Sequence, residues 1–89
     1  MKAQVQNMTS SNGNTIANQF EIFTPEGKYF QSYNSVIVHK ANDGTITLDE
    51  RYWDYSKTTS KYRNLFLRET KKETEAKIKS GEYKLANLN

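Results

Sequence analysis

Aromatic and basic side chains alternate over residues 51–64, where the sequence carries its densest set of groups able to do chemistry. The residues expected to contact a partner are Arg51, Tyr52, Trp53, Tyr55, Lys57, Lys61 and Arg63. Such a surface suits nucleic acid, because aromatic rings stack on bases and cations bind phosphates. It equally suits a protein partner, because Trp, Tyr and Arg dominate interface energetics. A third interpretation makes Trp53, Tyr55 and Tyr62 the bulky plug between a helix and a sheet.

Side chains for the usual catalytic constellations are scarce. The chain has one histidine, His39, and no cysteine, which excludes a Cys–His pair. No serine carries the glycine pattern of a nucleophile elbow, so we expect His39 on a sheet surface without a catalytic role. Asp49 and Glu50 are adjacent acids at a strand end, which is typical of solvated turn residues. We therefore expect a protein that is not an enzyme.

The sequence also predicts neither a cofactor nor a metal site. The four glycines are scattered as turn residues, so no phosphate-cradling or dinucleotide-binding loop is recognised. His39, Asp43 and Asp49 would have to converge from one hairpin without a known ligand spacing. The absence of cysteine excludes disulfides and cysteine-based zinc sites, and a reducing cytoplasm fits it. Because no apolar stretch reaches ten residues, we expect a soluble protein with neither a signal peptide nor a membrane span.

The positive charge belongs to the second half of the chain. Residues 1–50 carry three lysines against five acids, whereas residues 51–89 carry ten cations against five acids. This asymmetry favours an anionic partner. The cations expected to contact nucleic acid are Lys57, Lys61, Arg63, Lys71, Lys72, Lys77 and Lys79.

Four short runs rich in β-branched and aromatic residues predict consecutive strands at residues 20–24, 28–32, 36–40 and 45–49. Turn chemistry at residues 25–27 joins the first two as a hairpin. Residues 1–17 are polar and turn-rich, so we expect a loosely ordered arm with, at most, a short strand.

The turn at residues 42–44 sets which side chains share a face of the predicted sheet. A three-residue loop pairs Val38 with Leu48, which leaves Ile37 and His39 on the opposite face. A two-residue turn over residues 43–44 would exchange the two sets. We favour the three-residue loop.

After Trp53 the hydrophobic period changes to that of a helix. Ser56 is the expected cap of a helix over residues 57–68, with an inward stripe of Tyr62, Leu65 and Phe66. Lys57, Lys61, Arg63 and Arg68 are expected on its other faces. Thr70 begins a capping box for a second, short surface helix that ends at Gly81, before a closing strand over residues 82–86. The predicted fold is one α+β domain over residues 1–89, in which a small antiparallel sheet of four to five strands packs with these two helices.

The block from Tyr52 to Leu67, with Tyr-Trp-Asp-Tyr-Ser at its start and Lys-Tyr-Arg-Asn-x-Phe-Leu at its end, resembles a family of small, mostly uncharacterised bacteriophage and prophage proteins. Similar segments at residues 18–20, 30–33, 73–74 and 77–85 extend the resemblance over nearly the whole chain. Members tend to carry glycine directly after Phe-Leu, where this chain has Arg68. The resemblance implies a phage origin, and short phage proteins of this type often bind and disable a host machine.

These observations lead to two functional hypotheses. The first is a non-enzymatic phage protein that acts in the bacterial cytoplasm and inhibits a host protein or ribonucleoprotein, most sharply as an anti-CRISPR inhibitor of an RNA-guided defence nuclease. The second is a nucleic-acid-binding protein that uses its basic C-terminal half. We also expect a homo-oligomer, because short hairpins leave unpaired strand edges, with Phe23 and Ile37 apolar on the face away from the helices. The alternative is a monomer in which the N-terminal arm or the closing strand around Leu85 covers that edge.

Overall fold

The computed structural model describes residues 3–89 and contains a six-stranded sheet with two helices on one face. The elements are β1 (Gln4–Thr9), β2 (Thr15–Thr24), β3 (Gly27–Ser32), β4 (Ser35–Ala41), β5 (Ile46–Asp49), α1 (Lys57–Leu67), α2 (Lys71–Ser80) and β6 (Lys84–Ala86). The strands lie side by side in chain order, antiparallel from β1 to β5, and β6 runs parallel to β5. The predicted α+β fold is confirmed, with one strand more than expected.

The two predicted hairpins are present. Thr24 pairs with Gly27 across the turn between β2 and β3, and Val38 pairs with Leu48 across β4 and β5. The second pairing confirms the three-residue loop, which Gly44 closes at φ 92° while its N–H donates to the carbonyl of Ala41.

A β-bulge in β4 changes the expected position of Ile37. Phe30 pairs with Val38 and Gln31 with Val36, so Ile37 has no partner across the ladder. Such a bulge breaks strict alternation, and both Ile37 and Val38 are fully buried. The prediction that Ile37 lies on the outer face is therefore wrong.

The helices cover the face of the sheet that carries Phe30. The ring of Phe30 stacks on Phe66 of α1 at 5.7 Å, and the buried apolar residues form one cluster around this contact. Alternation from Phe30 places Lys28 on the helix side and Tyr29 on the opposite side. Neither α1 nor α2, the two helices of the described chain, has the length and apolar character needed to span a membrane.

Both helices begin at their predicted caps. The Ser56 side chain accepts a hydrogen bond from the N–H of Thr59, and Thr70 forms a complete capping box with Glu73. The predicted inward stripe of α1 is partly wrong, because Leu65 is 54% exposed whereas Arg63 is fully buried. The stripe that faces the sheet is Thr59, Arg63 and Phe66, at i, i+4 and i+7.

The N-terminal segment is more ordered than predicted. Residues 4–9 form β1, which pairs with β2 across a turn in which the N–H of Gly13 donates to the carbonyl of Ser10. Met8 anchors this hairpin in the core, at 9% exposure. The polar side chains of β1 are compatible with a strand, because most of β1 lies exposed at the edge of the sheet. The polar composition of this segment therefore did not indicate disorder. Met1 and Lys2 lie outside the described residues.

The sheet face opposite the helices carries a partly apolar row that runs across strands. Val5 pairs with Ile22, Ile22 with Tyr29, and Tyr29 with His39, whose ring stacks on the tyrosine at 4.4 Å. His39 is thus a sheet-surface residue, as predicted. Phe23 pairs with Lys28 and shares the helix side, so its expected place on the outer face is wrong.

Gly27 supports a close approach between β3 and β4. Its φ is 140°, and a Cβ at this position would overlap the backbone carbonyl of Lys40. We predict that Gly27→Ala lowers the free energy of unfolding by about 3 kcal/mol. Gly44→Ala is the matched control, because Gly44 also has positive φ but has open space around it, so its cost is about 1 kcal/mol. Urea denaturation measures both, and equal losses would contradict the close-approach argument.

Candidate functional site

A cavity of about 390 Å³ opens where the turn between β3 and β4 meets the segment before α1. We call it the tyrosine cleft. Its lining residues are Ser32, Tyr33, Asn34, Ser35, Ile37, Tyr52, Tyr55 and Thr59. None of these side chains is charged, and three of them are tyrosines.

The base of the tyrosine cleft contains buried, mutually satisfied groups. The hydroxyls of Ser32 and Thr59 lie 3.0 Å apart in a buried hydrogen bond that joins β3 to α1. Ile37, displaced by the bulge, lies beside them and is fully buried. This part of the cleft is therefore rigid and offers no ionisable group.

Exposed aromatic rings form the rim. Tyr33 is 52% exposed and Tyr55 is 67% exposed, while the half-buried Tyr52 meets Tyr55 edge to face at 5.5 Å. Tyr33 has φ 54°, and its N–H donates to the carbonyl of Asn18 at 2.7 Å, which fixes the turn. Rigid, exposed tyrosines supply large contact areas at a low entropic cost.

The carboxylate of Asp49 holds one wall of the cleft in place. It accepts hydrogen bonds from the N–H groups of Arg51 and Tyr52, at 3.1 and 2.8 Å. It also accepts from the N–H of Leu88 and the side-chain amide of Asn89, at 2.8 and 3.0 Å. Asp49 is 1% exposed, so the expectation of a solvated turn residue is wrong for it, although the neighbouring Glu50 is exposed.

These contacts set the protonation of Asp49. Burial raises its pKa, but the four hydrogen bonds lower it more, so the pKa of Asp49 lies below its usual 3.8. The carboxylate therefore stays ionised and keeps all four donors at neutral pH. Within residues 3–89 no group of three or more His, Cys, Asp or Glu side chains is arranged to hold a metal ion.

The side chain of Arg63 also stabilises the segment between β5 and α1. Its guanidinium donates to the carbonyl of Trp53 and to Asn64 Oδ1, and lies 3.5 Å from Asp54. It also lies 5.2 Å from the Trp53 ring, in a cation–π contact. Because Arg63 is fully buried, its expected contact with a protein or nucleic-acid partner is wrong. Sequence reasoning placed it outside because buried arginines are rare unless they are paired.

The remaining residues predicted to contact a partner lie in different parts of the structure. Tyr52 and Tyr55 line the cleft, and Arg51 is exposed in the same segment, whereas the half-buried Trp53 packs against the core. The plug interpretation thus fits Trp53 and the half-buried Tyr62 but not Tyr55. Tyr33 is the residue that the site prediction missed. An aromatic side chain in a four-residue turn of polar neighbours was the available signal.

The lysines likewise fall into several groups. Lys57, Lys61 and Lys71 line a shallow depression of about 470 Å³ beside Asp54, which pairs with Lys71 at 2.9 Å. Lys72 and Lys79 are exposed on α2. Lys77 is bound to Glu69 at 2.8 Å, so its charge is compensated inside the protein.

We predict that Asp49→Asn lowers the free energy of unfolding by about 2 kcal/mol at pH 7, because charge-assisted hydrogen bonds are lost. Since the folded-state pKa is below 3.8, the stabilisation is present above that pH and is lost as the pH falls through the folded-state pKa. The difference between wild type and variant should therefore shrink in acid. Urea denaturation at several pH values measures it, with Glu50→Gln as the exposed control. A difference independent of pH would refute the assignment to the carboxylate.

We predict that Arg63→Ala lowers the free energy of unfolding by about 3 kcal/mol, and that Arg63→Lys recovers only part of this loss. The reason is that a lysine cannot reproduce the planar fork that reaches both Trp53 and Asn64. Lys61→Ala, at an exposed neighbour, should change stability by less than about 0.5 kcal/mol. Fluorescence of Trp53, the single tryptophan, reports unfolding. Full recovery by lysine would show that charge alone matters.

Comparison with known proteins adds a family but no activity. No curated protein and no solved structure shows significant similarity to this chain. Residues 3–82, which include β1 to β5, both helices and all of the tyrosine cleft, match a family of unknown function. The chain therefore belongs to that family, DUF8033.

Proposed function

We propose that this protein is a non-enzymatic binding protein of phage origin that inhibits a host defence system or host enzyme. The observation that carries the proposal is the tyrosine cleft, in which exposed Tyr33 and Tyr55 stand over a rigid, uncharged base. Exposed tyrosines around a pocket are typical of protein interface hot spots. The partner is a host protein or ribonucleoprotein in the bacterial cytoplasm.

Preorganisation supports the proposal. The backbone of Tyr33 is fixed by Asn18, and the segment that carries Tyr52 is held by Asp49. Rings that are already in place lose little freedom when a partner binds. Arg51 and Lys57 are exposed at either end of this segment, so an aromatic centre has basic residues nearby.

The identity of the partner is proposed from the sequence. The Tyr-Trp-Asp-Tyr-Ser to Phe-Leu block resembles small phage and prophage proteins, some of which disable host machines. An RNA-guided defence nuclease is the sharpest choice, because it offers both protein surfaces and phosphates to a tyrosine cleft with flanking cations.

The test is an interference assay with purified protein and a panel of RNA-guided nucleases. We expect inhibition of target cleavage by at least one of them, and about tenfold or greater loss of inhibition with Tyr55→Ala. Leu65→Ala is the matched control, because Leu65 is also an exposed large apolar residue but lies outside the cleft. Lack of inhibition across the panel would contradict the assignment to an RNA-guided nuclease. Unchanged inhibition by Tyr55→Ala would show that the tyrosine cleft is not the binding surface.

A second candidate function is direct binding of nucleic acid. Lys57 and Lys61 share one open depression beside α1, which favours phosphate contact there. Lys72 and Lys79 are exposed on the adjoining helix α2 and would extend the contact. Three cations are left out, since Arg63 is fully buried, Lys71 pairs with Asp54 and Lys77 pairs with Glu69.

Gel shifts with single- and double-stranded DNA and RNA test this candidate. We expect affinity to fall steeply with salt, and the double variant Lys57→Gln, Lys61→Gln to bind more weakly with a shallower salt dependence. Lys84→Gln serves as a control, because Lys84 is an exposed lysine on β6, outside the depression. Binding weaker than about 1 mM at low salt would reject nucleic acid as the partner.

A further inference from the structure

Two lysines lie directly opposite each other near the ends of the two central strands of the sheet. Lys28 of β3 and Lys40 of β4 are register partners, so their side chains leave the same face with Cβ atoms about 5 Å apart. Like charges placed in this way destabilise a sheet. Among residues 3–89 neither lysine forms a salt bridge. Within the described residues no salt bridge offsets the repulsion between them, although Lys40 is exposed to solvent whereas Lys28 is half-buried.

Both lysines line a cavity on the helix side of the sheet. The Nζ atom of Lys28 lies 5.1 Å from the centroid of the Phe66 ring, which brings its charge toward the end of α1. The cavity has a volume of about 420 Å³, and we call it the lysine cavity. Its charged lining residues are Lys28, Lys40, Arg68, Glu69, Lys77 and Glu82.

One pair of opposite charges in the lysine cavity, Glu69 and Lys77, has no net charge. Glu69 accepts hydrogen bonds from Lys77 at 2.8 Å, from the Tyr83 hydroxyl at 2.7 Å and from Thr74 at 2.6 Å. Burial raises the pKa of Glu69, but these donors lower it more, so it lies below its usual 4.5 and the carboxylate stays charged. Glu69 and Lys77 therefore compensate each other. Lys28, Lys40 and Arg68 remain against Glu82, which leaves a net charge of about +2 at pH 7.

Arg68 brings the third uncompensated cation to the cavity. It has φ 57°, a left-handed conformation that glycine adopts at lower cost, and it ends α1. The carbonyl of Asn64 in the last turn already accepts from the N–H groups of Arg68 and Glu69. That helix carbonyl is consequently occupied and does not compete for the guanidinium.

We propose that the lysine cavity binds a small molecule that carries a diphosphate group. Two phosphate groups supply the negative charge that matches the uncompensated cations, and their oxygens accept hydrogen bonds from ammonium and guanidinium groups. A volume of about 420 Å³ lies in the range of small-molecule sites. The bounded volume, with only three uncompensated cations in its lining, favours a compact ligand over a long nucleic-acid strand.

Thermal denaturation of the full chain with inorganic pyrophosphate tests the proposal, with sodium chloride of matched ionic strength as the reference. Pyrophosphate should raise the Tm of the wild type by several degrees above the reference. Lys40→Gln should raise the Tm without ligand, because it removes the repulsion, and should weaken pyrophosphate binding about tenfold or more. The same experiment with a nucleoside diphosphate tests which molecule supplies the diphosphate group. Tighter binding than pyrophosphate identifies a nucleotide as the ligand, and equal binding shows that the diphosphate group alone is recognised.

Lys84→Gln is the matched control, because it removes an exposed lysine outside the cavity and outside the depression that carries Lys57, and should leave pyrophosphate binding unchanged. Tyr55→Ala should also bind pyrophosphate as the wild type does, which separates this proposal from the one for the tyrosine cleft. The proposal is overturned if pyrophosphate shifts the Tm no more than the salt reference. It is equally overturned if Lys40→Gln lowers the Tm without ligand, or if Lys40→Gln and Lys84→Gln weaken binding equally.

Discussion

The ionised carboxylate of Asp49 is the constraint on which the site depends. It joins the end of β5, the segment that carries Tyr52 and the last residues of the chain, which otherwise share no continuous element. Burying a charge is costly unless hydrogen bonds replace water, and here four donors do so. The tyrosine cleft thus keeps its shape through a polar contact, in a domain with few aliphatic side chains.

The interior repeatedly uses polar groups where larger domains use leucine or isoleucine. Arg63, Thr59 and Thr74 are buried with hydrogen-bond partners, which bind the helices to their surroundings through specific geometry. Satisfaction is incomplete, since the side-chain amide of Gln19, which is 1% exposed, and the Nε atom of Arg63 have no partner within the described chain. Buried groups that must be satisfied restrict the packing of a small core to fewer arrangements.

Local rules predicted most of the fold and little of the site. The turn at residues 42–44 specified the pairing of Val38 with Leu48, and the caps Ser56 and Thr70 marked where the helices begin. The bulge at Ile37 could not be predicted, because it depends on the pairing between strands rather than on composition. Burial of Arg63 depended on partners supplied by the chain around Trp53, so periodicity alone assigned it to solvent.

The parallel pairing of β6 with β5 has a consequence for the order of folding. Strands β1 to β5 each pair with their neighbour in the chain, so they can assemble through short loop closures that are fast. We expect β6 to pair last, because the segment that carries both helices lies between β5 and β6 and must be closed as a long loop. The donors from Leu88 and Asn89 reach Asp49 at this last step. We therefore expect the wall of the cleft to be completed late, and local opening of the C-terminal strand would loosen it by removing the donors of Leu88 and Asn89.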